Sequence, residues 1–334
     1  MKTPPFVIGQ WVSGSRFYGR SALLAALCAP TLERAWVVGL RRAGKTSLLK
    51  QLEHLAESGT APVLPLFWDL QGVDGLCELG LSFADALLEG EETCARLGLD
   101  ADEVTDEDAA ASLAKLTAAL AARGAGLLLL LDEAEEMVAL ERAAPGTAAR
   151  LLASLAVPGA RVVVASSPRL ADLATMDPAA AFMEGFDGPF TVGPLAPEEA
   201  RALLTLEQAP AGARPGFDAA TVEALRTASG DHPMLLQMLG KRCFELGDAA
   251  AAIAHLEADR TLDHLFKVDL DLLTAAEREL LAALARGTAF ACDDPGAARL
   301  FALGLVTSNG SSRLDLPNQL LAGWLLRTTA AEPH

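Results

Sequence analysis

Long hydrophobic runs are missing from this chain, although 51% of its 334 residues are apolar. No stretch approaches the ~18 uninterrupted apolar residues of a membrane span. Met1-Lys2-Thr3-Pro4-Pro5 offers no apolar h-region, so no secretory signal is expected. The five cysteines (Cys28, Cys77, Cys94, Cys243, Cys292) are scattered, and none forms C-x-x-C. That excludes the spacing of a zinc site or a disulfide framework. Positive charge is scarce too: 27 Lys plus Arg against 44 Asp plus Glu leave a net charge of −17. Such a balance argues against a general binder of nucleic acid or anionic membrane. No internal repeat is visible, so no solenoid or propeller is attached. A cytoplasmic protein with two or three domains fits all of this.

Lysine is rare, with six in the chain, yet one sits in a specific setting. Gly39, Gly44, Lys45 and Thr46 spell G-x-x-x-x-G-K-T. From composition alone, about 0.004 such matches would arise by chance in this chain. The motif lies between a short apolar run, Trp36–Leu40, and a helical pattern over Ser47–Leu55. A glycine-bracketed loop between strand and helix can wrap backbone N–H groups around phosphate oxygens. The helix N-terminus adds its partial positive charge. Lys45 is placed to reach the β- and γ-phosphates, and the Thr46 hydroxyl to hold Mg²⁺. Arg41, Arg42 and Lys45 supply a local positive field despite the acidic whole.

Five leucines, Leu127–Leu131, run into Asp132 and Glu133. Gly124 and Gly126 in front and two acids behind point to a buried strand of a parallel sheet. Carboxylates at the C-terminal end of such a strand lie where open α/β sheets bind ligands. Asp132 is assigned to the magnesium shell and Glu133 to polarising the attacking water. Glu135 and Glu136 read as solvated helix residues.

Candidate strands are Trp36–Leu40, Val63–Asp69, Leu127–Leu131, Arg161–Ser166 and Phe190–Gly193, with helices between them, including Leu81–Leu97 and Asp108–Arg123. That alternation predicts an α/β fold with a parallel sheet covered on both faces. The strands flanking Asp132 suit the P-loop class with an additional central strand and a catalytic glutamate, which includes the AAA-like ATPases. After Pro194 the strands stop. Pro197–Leu206, Asp218–Ala228, Met234–Leu246 and Ala249–Leu256 read as a helical lid. Thr274 with Glu277 forms a capping-box pattern. Pro295–Leu303, Leu305–Thr307, a Ser308–Ser312 turn, Arg313–Leu316 and Asn318–Leu326 complete the outline of a winged helix. The expected division is 1–195 nucleotide domain, 196–265 lid and 266–334 winged helix.

These motifs resemble the STAND class of P-loop NTPases, particularly its compact novel STAND and archaeal-ATPase-like members. Phe17-Tyr18-Gly19-Arg20 is similar to the motif that precedes the family's P-loop. Val162–Arg169 looks like its sensor strand. Gly230-Asp231-His232-Pro233-Met234-Leu235-Leu236-Gln237 resembles its lid motif, G-x-H-P-x-x-L-Q. The resemblance covers roughly residues 6–326. It implies binding of ATP or ADP with Mg²⁺, through Arg20, Gly39, Arg42, Gly44, Lys45, Thr46 and Ser47. It places Arg20 near the adenine or ribose, Pro233 on the adenine and His232 toward the phosphates. Ser166, Ser167 or Arg169 would sense the γ-phosphate. Pro168 departs from the family pattern, in which the arginine directly follows a serine or threonine.

The function this implies is an ATP-dependent molecular switch governing assembly or partner engagement in signalling or defence. Its partner would be a protein acting in trans or further copies of the chain. A ring-forming ATPase with an arginine finger in trans, from Arg142, Arg150 or Arg169, is a related reading. The alternative is a DNA-binding regulator using the winged helix. Against it, residues 260–334 carry seven Lys plus Arg and nine Asp plus Glu, whereas groove readers present a basic face.

Overall fold

The apolar runs separated by helices build one five-stranded sheet. The computed structural model describes residues 5–176, 180–309 and 312–330. Strands β1 (Arg34–Val38), β2 (Val63–Asp69), β3 (Gly126–Asp132), β4 (Ala160–Ser166) and β5 (Asp187–Thr191) lie in the order β2-β3-β4-β1-β5. Parallel ladders join β2 to β3, β3 to β4, and β4 to β1. β4 therefore inserts between the strand before the glycine-lysine loop and the strand ending in Asp132, as the additional-strand class requires. Register pairs Val38 with Ser166 and Asp69 with Asp132. Polar residues thus collect at the C-terminal ends of these strands.

The chain divides into two compact units. The first holds Ser21–Gly39 and Lys45–Phe190, hence nearly all of the sheet. Its helices are α1 (Ser21–Leu27), α2 (Lys45–Glu57), α3 (Leu76–Glu89), α4 (Glu91–Arg96), α5 (Ala101–Val104), α6 (Ala109–Ala122), α7 (Glu136–Ala143), α8 (Thr147–Ser154) and α9 (Ala180–Met183). Leu127–Leu131 are all buried, which is why five leucines in a row form a strand here and not an alternating one. Trp68 meets Phe83 edge-on at 4.8 Å between ring centroids, and its Nε1 donates to Ser82 Oγ at 2.9 Å. Burying a side chain such as Phe83 stabilises by about 1.5–3 kcal/mol. The single helix expected over 81–97 is instead two, α3 and α4, parted at Gly90, which caps one and starts the other. β5 begins three residues earlier than expected, because Asp187 and Gly188 carry no hydropathy signal.

The second unit holds the segment ending at Arg20, the loop residues Leu40–Gly44, and the chain from Thr191 onward. Its helices are α10 (Pro197–Thr205), α11 (Ala219–Ser229), α12 (Pro233–Leu246), α13 (Ala249–Glu257), α14 (Arg260–Leu270), α15 (Ala275–Ala285), α16 (Ala298–Ala302) and α17 (Gln319–Ala330). A two-stranded antiparallel ladder, β6 (Thr307–Asn309) with β7 (Arg313–Asp315), precedes α17. The Ser308–Ser312 turn lies partly outside the described residues. The capping box forms: Thr274 Oγ1 accepts from Glu277 N at 3.2 Å, and Glu277 Oε2 from Thr274 N at 2.7 Å. Helix α14 is not among the elements expected from the sequence. Leu262, Leu265, Phe266, Asp269 and Leu270 form its buried face at helical spacing, and the carboxylate among them masks the apolar pattern. Among the described residues, no helix is long and apolar enough to cross a membrane.

Candidate functional site

In the sheet unit, Gly39 leaves β1 with its N–H donated to Ser166 O at 3.2 Å. The chain then reverses, with Arg42 at φ +60° and Gly44 at φ +100°. A side chain is strained at the latter angle, so glycine is required there. α2 starts at Lys45, so the positive end of its dipole lies at the loop. Ser47 stands in the first turn of α2. The Lys45 side chain is buried, and its Nζ donates to Gly39 O at 3.2 Å. The ammonium is thus held back over the loop it follows.

Thr46 Oγ1 donates to Asp132 Oδ2 at 2.6 Å, and Glu133 N donates to Asp132 Oδ1 at 3.0 Å. Both oxygens of a carboxylate that is only 1% exposed are therefore engaged. Burial pushes the Asp132 carboxyl above its ordinary pKa; the Thr46 bond and the Lys45 charge oppose that. Glu133 sits at φ +49°, a left-handed conformation that costs about 1–3 kcal/mol and clusters at functional sites. A hydroxyl bonded to a carboxylate gives hard oxygen donors, which suit Mg²⁺ rather than a soft metal. Among the described residues no group of three or more His, Cys, Asp or Glu could hold a metal alone. Such an ion would need phosphate oxygens and water to complete its shell.

Glu135 has a specific partner that its sequence context does not mark. Its Oε2 accepts from Ser167 N at 3.0 Å, so this half-buried residue ties the end of β4 and is not simply solvated. Ser166 Oγ accepts from Trp36 Nε1 at 2.8 Å. Ser167 caps the following 3-10 turn, accepting from Arg169 N at 3.4 Å, and Arg169 itself is exposed. Asp69 was not singled out in the sequence. It stands opposite Asp132 in the β2–β3 ladder and adds a second carboxylate to that edge.

The second unit contains the loop's own apex, residues 40–44. Arg41 N donates to Asp269 Oδ1 at 3.0 Å. Arg20, at φ +63°, sends its guanidinium to three backbone carbonyls: Pro194 O at 2.9 Å, Ala43 O at 3.2 Å, and Gly193 O. Burial brings its pKa down to about 10, so it stays charged at neutral pH. Phe17 and Tyr18 are buried before it. Gly19 has φ +81°, and a Cβ there would meet Glu199 at 2.7 Å. The Phe-Tyr-Gly-Arg motif thus delivers one cation to the loop apex.

The lid motif is built on α11 and α12. Gly230 ends α11 at φ +58°, and a Cβ there would lie 2.8 Å from Asn318 Cα. Asp231 accepts two bonds from Arg226, at 3.0 and 2.8 Å. Pro233 opens α12 at its first position, where its missing N–H costs nothing. His232 keeps some exposed surface, but neither of its ring nitrogens reaches solvent or a hydrogen-bond partner among the described residues. Burial, reinforced by the Arg20 charge, pushes its pKa down to about 4. A neutral imidazole with one donor and one acceptor results. Leaving such groups unpaired costs about 1–3 kcal/mol each, so the site fits a polar ligand. His232 lines a cavity of about 40 Å³ with Leu40, Ala43, Pro194, Phe266 and Asn318. Small-molecule pockets usually hold about 300–1,000 Å³. This cavity falls well below that range.

Residues 12–256 match the family model described as Novel STAND NTPase 1. Among solved structures, the chain is similar to a Walker-type ATPase of Pyrococcus abyssi, with TM-score 0.73 and 15% identity over 96% of this chain and 99% of that one. It is also similar to the ORC2 protein of Aeropyrum pernix, solved in ADPNP–ADP complexes, with TM-score 0.52 and 16% identity over 93% of each chain. No curated protein matches.

Proposed function

The chain belongs to the Novel STAND NTPase 1 family, and on that premise we propose that it is an ATP-dependent conformational switch. The observation that carries this reading is the Thr46–Asp132 hydrogen bond beside the buried Lys45. Lys45 and the amides of Gly44, Lys45, Thr46 and Ser47 take the β- and γ-phosphates, with Arg42 at the loop mouth. Thr46 and Asp132 would hold Mg²⁺, which neutralises phosphate charge when bound. Glu133 accepts the proton of the water that attacks the γ-phosphorus while the bond to the β-phosphate oxygen breaks. Ser167 stands by the γ-phosphate, and Arg169 needs a rearrangement of its turn to join it. The base lies against Pro233 and against His232, once the cavity that His232 lines has widened. Arg20 acts through the carbonyls it holds.

Solved with ADPNP and ADP, the Aeropyrum pernix ORC2 protein supports an adenine nucleotide as the ligand here. In our reading, residues 1–195, 196–265 and 266–334 are nucleotide domain, helical lid and winged-helix-like domain, the last built on α15, α16 and the β6–β7 hairpin. Differential binding of ATP and ADP then shifts the lid and last domain between arrangements. The output is assembly with further copies or engagement of a protein partner in signalling or defence.

Hydrogen exchange on the full chain tests this, with Mg²⁺-ATP, with ADP and with neither. Amides over 39–47 gain protection with both nucleotides, whereas those over 193–195 and 230–236 differ between ATP and ADP. Identical ATP and ADP patterns overturn the switch. Unchanged exchange at 39–47 overturns nucleotide binding itself.

A further inference from the structure

α3 carries two apolar stripes, and the sheet unit covers one. Leu79, Phe83, Ala86 and Leu87 enter the core. Cys77, Leu81, Ala84 and Leu88 recur at steps of four, three and four along another edge. Leu81 is 61% exposed and Leu88 57% exposed. This spacing is the seam that one helix presents to another. It extends for about 16 Å, three turns of helix. Apolar residues on both sides mark a helix meant to be covered on both.

The stripe opens into a groove of about 860 Å³ between α3, residues 105–110 and α8. The floor is apolar: Leu79, Ala109 and Leu151 are buried side chains that line it. Gly80 makes the groove possible. A Cβ there would lie 2.3 Å from Glu107 O, so only glycine lets the loop reach α3.

The borders are acidic. Glu78, Asp85 and Glu89 are exposed on α3 itself, and Asp106, Glu107 and Asp108 stand on the facing loop. Two cations offset these six carboxylates locally: Lys115 meets Asp106 at 2.9 Å, and Arg150 meets Asp108 at 3.0 Å. A two-fold pair of this chain would place the same acidic borders against each other. The net charge of −17 leaves little basic surface for another copy to offer. Nucleic acid and anionic lipid are repelled for the same reason.

We propose that the α3 groove docks an amphipathic helix of another protein, one whose apolar seam is bordered by lysine and arginine. Leu81 and Leu88 fill its holes, and the acidic borders select its charge and fix its register. This docking is independent of the nucleotide chemistry.

A fluorescein-labelled synthetic helix tests it against the full chain by anisotropy. The probe carries leucine at seam positions and lysine and arginine beside them; a control keeps the seam but has glutamate flanks. The basic probe binds, and its affinity falls about tenfold or more in Leu81→Ser/Leu88→Ser. It falls several-fold between about 50 and about 500 mM salt, and in Glu78→Lys/Glu107→Lys. These side chains are exposed, so far-UV circular dichroism and melting temperature stay unchanged. Absence of binding overturns the proposal, as does equal binding of the glutamate-flanked control or an unaffected Leu81→Ser/Leu88→Ser variant. A wild-type dimer that the double leucine variant dissociates would make a second copy the occupant and overturn it as well.

Discussion

The residues proposed to bind nucleotide are hydrogen-bonded to different degrees in the two units. In the sheet unit, Lys45 is bonded to Gly39 O and both oxygens of Asp132 are engaged. In the other unit, His232 keeps some exposed surface, yet neither ring nitrogen reaches solvent or a hydrogen-bond partner among the described residues, beside a cavity of about 40 Å³. A site that must hold an anion and metal in fixed geometry gains from such preorganisation. A site that must change with its ligand keeps unsatisfied groups, whose cost a ligand can relieve. Under the proposed function, the residues around Lys45 are set for binding and chemistry, and His232 for response.

Mutations can break that contrast. Lys45→Ala has the largest effect: it removes a buried cation from its anion, at a cost of about 5 kcal/mol in affinity. Titration calorimetry should then detect no ATP binding, and retained affinity would dismiss the P-loop assignment. Glu133→Gln leaves ATP affinity intact and lowers single-turnover hydrolysis by about 10³-fold. Undiminished turnover would move the general base elsewhere, Asp69 being the next carboxylate on that edge.

His232 sharpens the comparison through pH. Its folded pKa of about 4 lies below the ordinary 6.5, so the unfolded chain binds the extra proton between those values. Stability is full above pH 6.5 and falls as pH drops toward 4, by up to about 3 kcal/mol. His232→Phe should flatten that portion of the stability profile while weakening ATP binding. A profile identical to the parent's would mean the ring is not shut off from water. The smallest expected effect is at Asp269. Asp269→Ala removes a carboxylate from Arg41 N and should tighten ATP binding about tenfold. Weaker binding would show that Asp269 shapes the loop instead of competing for it.

What was legible in the sequence follows from what is local. The loop of Gly39–Thr46 needs eight adjacent residues, and the Thr274–Glu277 box needs four. The β3 run announced a buried strand because five leucines leave no polar face. The Asp269–Arg41 contact joins residues 228 apart in sequence, and no pattern near either position marks it. The Glu135–Ser167 bond is hidden for a related reason: Ser167 N becomes a neighbour only when β4 is laid beside β3. Two breaks were invisible as well. Gly90 splits a continuous apolar pattern, and Asp269 interrupts the buried face of α14.

Arg20 has a mechanical consequence. One guanidinium is bolted to Ala43, Gly193 and Pro194, so those carbonyls cannot drift apart while it stays in place. A displacement at 193–194 therefore has to be shared with Ala43 or break one of these bonds. A chain with Gly19 replaced, its φ of +81° denied and Glu199 in the way, would keep its lysine, threonine and carboxylates and lose the tie between Ala43 and residues 193–194.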